Sequence, residues 1–281
     1  KIQIIEHGVP DLEAPEDNQI KQLAAFKNHR VLLTFGLLSR NKGLETVVQA
    51  LPKIVQQHPD VMYVILGNTH PGVLKNSGEE YRDHLKSLAA KLNVSQHLTF
   101  INKFVTDEEL INYLTAAEIY VTPYLNEAQI TSGTLSYAVG AGAAVVSTPY
   151  WHATELLAHN RGRLFDFKDS EQLAQTINEL LGDSETLSVM KENAYEYGLH
   201  LRWPQIGAEY IKVAQESCLA HDFSAKVLKN SIVDPEILPK FSLTHVLRLT
   251  DDTGIVQHAK YCIPNLKEGY CLDDNARALI M

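Results

Sequence analysis

The sequence has 281 residues, a formal net charge of −9 and 45% hydrophobic residues, which provides apolar material for one large core or two modest ones. The negative charge argues against general nucleic-acid binding, because phosphate backbones are bound by basic surfaces, but it leaves open a small anionic ligand in one local pocket. No apolar run approaches the roughly 20 residues that span a bilayer, and no signal-peptide pattern opens the chain. The sequence therefore predicts neither a nucleic-acid partner nor a transmembrane segment.

The cysteines bear on the compartment. Cys218, Cys262 and Cys271 have no metal-ligand or redox-pair spacing. A low, odd count of this kind favours free thiols in a reducing environment. We therefore expect a cytoplasmic protein.

From residue 31 onward, short apolar runs alternate with amphipathic helical stretches. Strands are predicted over 31–36, 61–67, 98–102, 118–124, 143–148 and 162–167. Helices are predicted over 42–57, 79–92, 169–182 and 184–199. Three more helices are predicted to begin at 106, after 131–134 and after 204. Thr106 is placed to cap its helix, with three acidic residues at the positive end of the helix dipole. This alternation predicts an α/β fold with a doubly wound, mostly parallel, Rossmann-like sheet. Ligands of such sheets bind outside the carboxyl ends of the strands, so residues just after strands are the functional candidates.

The pattern of the chain divides it into three parts. Residues 1–30 are interpreted as a segment that arrives from a preceding domain, and 31–220 as the Rossmann-like domain. Residues 221–242 contain two prolines and no clear period, which is typical of a linker. The remainder to 281 is predicted to form a helix, an irregular polar loop and a second helix, too little to bury a core. Because the chain starts on Lys1 and stops on Met281 within an apparent helix, we interpret it as a piece of a longer protein.

The first candidate stretch is "TFGLLSRNKGLETVVQAL", residues 34–51. Gly36 permits a sharp exit from the strand, and Gly43 would let a ligand approach the first helical turn. Lys42 would place an ammonium at the positive end of the helix, which is unfavourable unless an anion is bound there too. The alternative is a solvated lysine at a helix start.

The second stretch is "QITSGTLSYAVGAGAAVVST", residues 129–148, which carries no charge. Ser132, Gly133 and Thr134 would open a helix whose unpaired backbone N–H groups, together with the hydroxyls, can bind phosphate. A carboxylate there would repel such a ligand, and an uncharged helix can pack between the layers of the fold. The alternative is a buried helix with Ser132 as an ordinary N-cap, which uses the same geometry.

Six blocks together resemble the carboxyl-terminal, donor-binding domain of family 4 glycosyltransferases of the GT-B fold. They are "HGV" (7–9), "FGLLSRNKG" (35–43), "LGNTHP" (66–71), "INKFVTDEEL" (101–110), the segment 121–148 and "RWPQIGAEYIKV" (202–213). The last block is expected to form a closing helix with Trp203 and Tyr210 in the core. Residues 243–281 resemble the first helices of an (α/α) toroid.

The resemblance implies a retaining glycosyltransferase that moves a sugar from a nucleotide-diphosphate donor to a glycan or other hydroxyl acceptor. It implies no metal or other cofactor, and an acceptor-binding amino-terminal domain that is absent here, so this chain alone is expected to be inactive. Catalytic residues are not assigned. The implied phosphate-binding residues are Gly36, Arg40, Lys42, Gly43, Ser132, Gly133 and Thr134. The implied sugar- or nucleoside-binding residues are His70, Asn102, Lys103, Phe104, Glu127, Gln129, Thr131 and Tyr137.

The chain departs from the family pattern at three positions. Leu37 stands where many members have a second basic phosphate ligand, although Arg40 in the same loop is a substitute. The paired glutamates of the family fall on Gln129 and Tyr137, so the carboxylate expected on the ribose is missing unless Glu127 serves. These departures leave open a GT-B phosphorylase or sugar-nucleotide epimerase, or a non-catalytic nucleotide or glycan sensor.

Two further groups have both a functional and an ordinary interpretation. His70 and His152 follow strands at the proposed ligand edge, but a lone histidine is more often structural or solvated. The tail residues Asp251, Asp252, His258, Asp273, Asp274 and Arg277 are of the kind found in carbohydrate sites, whereas "TDDTG" is also an ordinary turn and "LDDNARAL" an ordinary helix start.

Overall fold

The computed structural model describes residues 4–11, 13, 19–228, 244–251, 253–256, 259–260, 263–267 and 269–270. Contacts divide it into a first unit up to Cys218 and a second unit from Leu219. The side chains of 217–228 and of residue 260 are outside the description.

The first unit is built on a six-stranded, all-parallel sheet with the strand order β3-β2-β1-β4-β5-β6. The strands are β1 (Arg30–Phe35), β2 (Val61–Leu66), β3 (Leu98–Ile101), β4 (Ile119–Thr122), β5 (Val145–Ser147) and β6 (Gly162–Leu164). The predicted α/β fold with a doubly wound parallel sheet is therefore confirmed. The strand order reverses between β1 and β4, and a crevice at the carboxyl ends of these two strands is where such sheets bind ligands.

Helices cover both faces of the sheet, which explains why the strand residues are almost continuously apolar. In β1, Leu32 packs into one core while Val31 and Leu33 pack into the other, because successive side chains of a strand point to opposite faces. The helices of this unit are α1 (Glu45–Gln57), α2 (Pro71–Ser77), α3 (Glu80–Lys91), α4 (Asp107–Ala116), α5 (Gly133–Gly140), α6 (Trp151–Leu156), α7 (Ser170–Gly182), α8 (Ser184–Leu201) and α9 (Trp203–Leu228), whose end lies past Cys218.

Several predicted helix limits are corrected. The helix predicted from Lys42 begins at Glu45, because Arg40–Lys42 forms a separate 3-10 turn that ends on Gly43. The short helices α2 and α6 were not predicted, since each has only about two turns and little periodicity. The linker predicted over 221–242 is helical as far as Leu228, where α9 ends.

The closing helix α9 also differs from expectation in its packing. Trp203 is 51% exposed and Tyr210 is 60% exposed, so neither is a core residue. Trp203 instead lies against the backbone of Gly8, where an added Cβ would be 2.7 Å from the indole ring. Its large apolar side chain therefore packs on the N-terminal segment while one face stays open to solvent.

The second unit, described by itself, contains α10 (Thr244–Leu249) and a pair of two-residue antiparallel strands, β7 (Ala259–Lys260) and β8 (Ile263–Pro264). The loop predicted to be irregular thus contains a small β-ladder. The Asp251 carboxylate accepts a hydrogen bond from the Thr253 N–H at 2.8 Å, which is the ordinary turn interpretation of "TDDTG". The other tail candidates, Asp252, His258, Asp273, Asp274 and Arg277, lie outside the described residues.

Helix α5 is held close to α8 through two glycines. A Cβ added at Gly198 would lie 2.8 Å from the Cα of Gly140 and 2.9 Å from the carbonyl oxygen of Val139. The two helix backbones therefore touch at this point, and any side chain at residue 198 would push α5 away.

We expect Gly198→Ala to lower the free energy of unfolding by about 1–3 kcal/mol, because the extra methyl group overpacks this contact. Gly207→Ala is the matched control, since Gly207 lies in α9 with no atom within 4 Å of the added Cβ. It is expected to stabilise by about 0.5–1 kcal/mol, because alanine favours the helix. Urea unfolding measures both, and equal effects would contradict a close α5–α8 contact.

Candidate functional site

The loop after β1 and the loop after β4 meet at the reversal point of the sheet. Gly36 leaves β1 with φ +124°, and Gly43 ends the 3-10 turn with φ +63°. A Cβ on Gly43 would lie 2.3 Å from the carbonyl oxygen of Pro123, and the Leu125 N–H donates to the Asn41 carbonyl at 3.1 Å. Gly43 is thus required by the approach of two backbone segments, and the expectation that it also lets a ligand approach stays a prediction.

Lys42 lies at this meeting point and is half-buried, and its ammonium contacts the side chain of Tyr124. Its Nζ donates to the Tyr124 hydroxyl at 2.6 Å and lies 3.9 Å from the centre of the Tyr124 ring. In the described part of the chain, no carboxylate oxygen lies within 4.0 Å of Nζ. The charge of Lys42 is therefore hydrogen-bonded but not neutralised by an acidic side chain.

The start of α5 lies next to this lysine through a chain of hydroxyls. The Tyr124 hydroxyl is 2.7 Å from the Thr134 hydroxyl, which is 3.1 Å from the hydroxyl of Ser132. Ser132 caps α5 by accepting the Leu135 N–H at 3.3 Å, so the N-cap interpretation is confirmed. Its own N–H donates to Nδ1 of His152 at 3.0 Å. Among the described residues, the N–H groups of Gly133 and Thr134 have no protein acceptor.

A cavity of about 280 Å³ opens on this helix start at the carboxyl ends of β1 and β2. It contains six of the residues expected from the sequence, namely Gly36, Lys103, Phe104, Gly133, Thr134 and Tyr137. Leu37, in place of a basic residue, is also in its wall. Phe104 is 84% exposed at the rim, so its ring is free to stack on a planar ligand.

Asp107 also lines this cavity, although it was not predicted to be a site residue. It is the first residue of α4, and its position in "TDEEL" was explained entirely by helix capping. Burial, together with the nearby Asp107 carboxylate, raises the pKa of the Tyr137 hydroxyl. The feature of the sequence that could have identified Asp107 is its position after β3, at the same edge of the sheet as the other candidates.

Lys42, Gly43 and Ser132 are not in the wall of this cavity, and three further predicted residues also lie outside it and make other contacts. Arg40 donates to Glu80 at 2.6 Å. The Asn102 side-chain oxygen accepts from Arg82 at 2.7 Å. His70 caps α2, with Nδ1 accepting the Gly72 N–H at 3.1 Å, which is a structural role.

The loop 127–132 runs past the cavity on its way to α5. Gln129 donates from its side-chain amide to the Thr131 carbonyl at 3.1 Å, and the Glu127 side chain is exposed. Thr131 lines a second cavity of about 360 Å³, which also contains His7, His152 and Glu155. These loop residues are therefore adjacent to the start of α5 but outside the first cavity.

Two basic residues near this edge of the sheet, Lys103 of the cavity wall and Arg82 of α3, are paired with carboxylates. Lys103 donates to Glu109 at 2.8 Å, which raises the pKa of Lys103 and lowers the pKa of Glu109. The pKa of the Glu79 carboxyl is lowered mainly by a hydrogen bond from the Thr69 hydroxyl and next by one from Arg82, which is buried. Within the described residues, no group of three or more His, Cys, Asp or Glu side chains could hold a metal ion. That the reaction needs no metal stays a prediction.

Comparison with known proteins gives one family and a consistent fold. Residues 15–197 match the family model of Glycosyl transferases group 1. The chain is 28% identical over 192 residues to Spore coat protein SA of Bacillus subtilis (strain 168), covering 67% of this chain and 49% of that protein. Sucrose-phosphate synthase from Thermosynechococcus elongatus has a TM-score of 0.66 at 22% identity, covering 78% of this chain and 53% of that one. Anabaena Alr3699/HepE in complex with UDP has a TM-score of 0.62 at 21% identity, and the match covers 71% of this chain and 52% of that one.

At these identities the solved structures establish the fold and not the substrate. The chain spans about half the length of the curated relatives it matches. Over the residues that the structure describes, no helix is both long and apolar enough to cross a membrane.

Tyr124→Phe tests whether the phenol joins the two loops. The ring, stacked 5.4 Å from that of Tyr150, is kept, but the hydroxyl that contacts Lys42 and Thr134 is lost. We expect the free energy of unfolding to fall by about 1–2 kcal/mol in urea titrations. Tyr195→Phe removes a surface hydroxyl with a contact of 3.4 Å to Arg202 and is expected to change it by less than about 0.5 kcal/mol. Similar losses in the two variants would contradict a linking role for Tyr124.

Proposed function

The chain belongs to the group 1 glycosyl transferases, and on that premise we propose that it binds a nucleotide-diphosphate sugar for transfer to a hydroxyl acceptor. The observation that carries the proposal is the arrangement around Lys42. An ammonium without a carboxylate partner lies beside a helix start where two backbone N–H groups lack protein acceptors. Each of these features favours an anion, and together they suit a diphosphate.

The chemistry follows from the same groups. When the sugar leaves its donor, negative charge develops on the departing diphosphate. Lys42 and the N–H groups of Gly133 and Thr134 are fixed by the fold before the reaction, so they stabilise that charge without reorganising. In this proposal the reaction needs no metal ion. Gly36 supports the same site by letting the backbone turn away from β1.

The nucleoside half occupies the cavity beyond the phosphates. Phe104 offers an exposed aromatic face to the base, and Lys103 lines the same wall. Asp107 and Tyr137 supply a carboxylate and a hydroxyl, which can accept from and donate to the vicinal hydroxyls of a ribose. Asp107 thereby replaces the carboxylate that is missing at Tyr137. Glu127, Gln129 and Thr131, on the loop before α5, remain proposed contacts of the transferred sugar.

Finer assignments form part of the same proposal. The enzyme belongs to family 4 and retains the configuration of the transferred sugar. The acceptor, a glycan or another hydroxyl compound, is bound by a domain outside this chain, so the chain alone binds donor but scarcely turns over. The enzyme acts in the cytoplasm, and the segment after the first unit begins a second, toroid-like domain.

A non-catalytic nucleotide sensor is the second candidate. It is favoured by two features of the loop after β1: the apolar Leu37 lines the cavity wall, and the Arg40 guanidinium is already paired with Glu80. A sensor would bind the donor and leave it intact. Slow release of free sugar from the bound donor, measured by chromatography, therefore favours the transferase and counts against the sensor.

Lys42→Ala tests the phosphate site in thermal-shift titrations with UDP, GDP, ADP and inorganic phosphate. At a hundred times the dissociation constant, a ligand should stabilise the wild type by about 2.7 kcal/mol. Loss of one charge-assisted contact should weaken binding by about tenfold to a hundredfold. Lys53→Ala is the control, because Lys53 pairs with Glu171 in α1 and α7, away from the cavity. If phosphate alone stabilises the protein, a phosphorylase replaces the transferase as the best function.

Asp107→Asn tests the ribose contact. We expect the affinity for the binding nucleoside diphosphate to fall by about tenfold, because a charged acceptor for the sugar hydroxyls is lost. The affinity for the matching 2′,3′-dideoxy nucleotide should not change, since it lacks those hydroxyls. Glu108→Gln, which removes the neighbouring charge outside the cavity wall, is the control. Equal losses for ribose and dideoxyribose ligands would assign Asp107 a general electrostatic effect instead.

A further inference from the structure

Three hydrogen bonds attach the loop 127–132 to the start of α6. The Trp151 N–H donates to the Glu127 carbonyl at 3.0 Å, and the His152 N–H donates to the Gln129 carbonyl at 3.1 Å. Both are backbone bonds and do not depend on side-chain identity. The third runs from the Ser132 N–H to Nδ1 of His152 at 3.0 Å and depends on the imidazole ring.

The third bond determines how α5 begins. Ser132 is 4% exposed and extended, with φ −137° and ψ 103°, and its hydroxyl caps the helix. Because His152 accepts the Ser132 N–H, this donor is directed away from the ligand side. The next two N–H groups, of Gly133 and Thr134, are left without protein acceptors, and both residues line the first cavity. An acceptor at residue 152 thus withdraws the Ser132 N–H from the donors at the start of α5, while those of Gly133 and Thr134 stay free because they belong to the first helical turn.

The bond also requires one chemical state of the ring. Nδ1 can accept a hydrogen bond only when the imidazole is neutral and carries its proton on Nε2. Protonation places a hydrogen on Nδ1, so two N–H groups would then face each other across 3.0 Å. The loop would have to move away from α6.

We propose that His152 is a positioning residue for the nucleotide site: its neutral imidazole holds the Ser132 N–H, and with it the start of α5, in the geometry that binds the diphosphate. This inference rests on the proposed nucleotide site. It assigns no contact between His152 and the ligand. It makes binding dependent on pH, with affinity lost when the ring is protonated.

The surroundings of the ring support a neutral state near neutral pH. The titratable groups that face it are Glu155 on its own helix, Glu6 and His7 of the N-terminal segment, and Tyr210 of α9. Burial is the largest effect on the His152 ring and lowers its pKa below the ordinary value. The Glu155 and Glu6 carboxylates raise the pKa of His152, and the nearby His7 lowers it. A lowered pKa means that the hydrogen bond is intact at neutral pH and is lost only as the pH falls below the ordinary histidine range.

The test compares three proteins across pH, using UDP or GDP, whichever stabilises the wild type. His152→Asn keeps an acceptor oxygen close to the position of Nδ1 but does not titrate. His152→Ala removes the acceptor. His84→Asn is the control, because His84 is an exposed histidine of α3 near Glu45, remote from the loop. Because the terminal phosphate of the nucleotide titrates near pH 6 itself, each variant is compared with the wild type at the same pH.

At low pH we expect the wild type and His84→Asn to bind about fivefold to tenfold more weakly than His152→Asn does at the same pH. His152→Ala should bind weakly at every pH. Parallel profiles for the wild type and His152→Asn would overturn the proposal while leaving the nucleotide site intact. Affinity that rises as the wild type is acidified would also overturn it, since the imidazolium would then attract the phosphate directly. If the wild type binds no nucleotide at neutral pH, the proposed function fails as well.

A second measurement does not depend on a folded variant. In nitrogen-15 spectra of the wild type, the Ser132 amide should shift with the same midpoint as the His152 ring, and the ring should show the Nε2–H form at neutral pH. An amide resonance that does not follow the titration of His152 would overturn the proposal.

Discussion

The contact between the loop after β1 and the loop after β4 determines how the site is assembled. The sheet order reverses between these strands, and their loops meet where Gly43 lies against Pro123. The 2.3 Å separation that a Cβ at Gly43 would have from the Pro123 carbonyl leaves no space for any side chain there. Because the backbones touch, Lys42 on one loop reaches Tyr124 on the other, and Tyr124 reaches Thr134 at the start of α5. One close backbone approach thus links three elements that are distant in sequence.

The electrostatic properties of Lys42 depend on the kind of partner it has. A carboxylate within contact distance would neutralise the ammonium and would have to be displaced by any incoming anion. A phenol hydroxyl holds the ammonium in place without neutralising it, so the positive charge of Lys42 remains available to an anion. Arg40 illustrates the opposite case, since its guanidinium is already paired with Glu80. That pair is solvent-exposed and contributes little stability, but it directs Arg40 away from the cavity.

The sequence was informative where local physics determines structure. Alternating apolar runs identified all six strands of the main sheet, and Thr106 caps α4 as expected. It was less informative where two distant segments meet. The close backbone contact at Gly43 depends on Pro123, and the placement of Asp107 in a cavity wall depends on β1, α4 and α5 together. Trp203 was expected in the core because of its type, but the N-terminal segment provides only a partial cover. Periodicity reports which face of an element is buried, not which groups from other elements it meets.

Helix α5 combines two demands that usually conflict. A phosphate site needs backbone N–H groups without protein partners, and such donors reduce the stability of the fold when no ligand satisfies them. The rest of α5 compensates through burial: Leu135, Ala138 and Val139 are fully buried, and Gly140 touches α8. The absence of charged residues follows from both demands, because a charged side chain would be costly in the core and an acidic one would repel phosphate at the helix start. A small, uncharged and closely packed helix therefore lets the fold hold its unpaired donors in a fixed position, while the preceding N–H, of Ser132, is bound by His152.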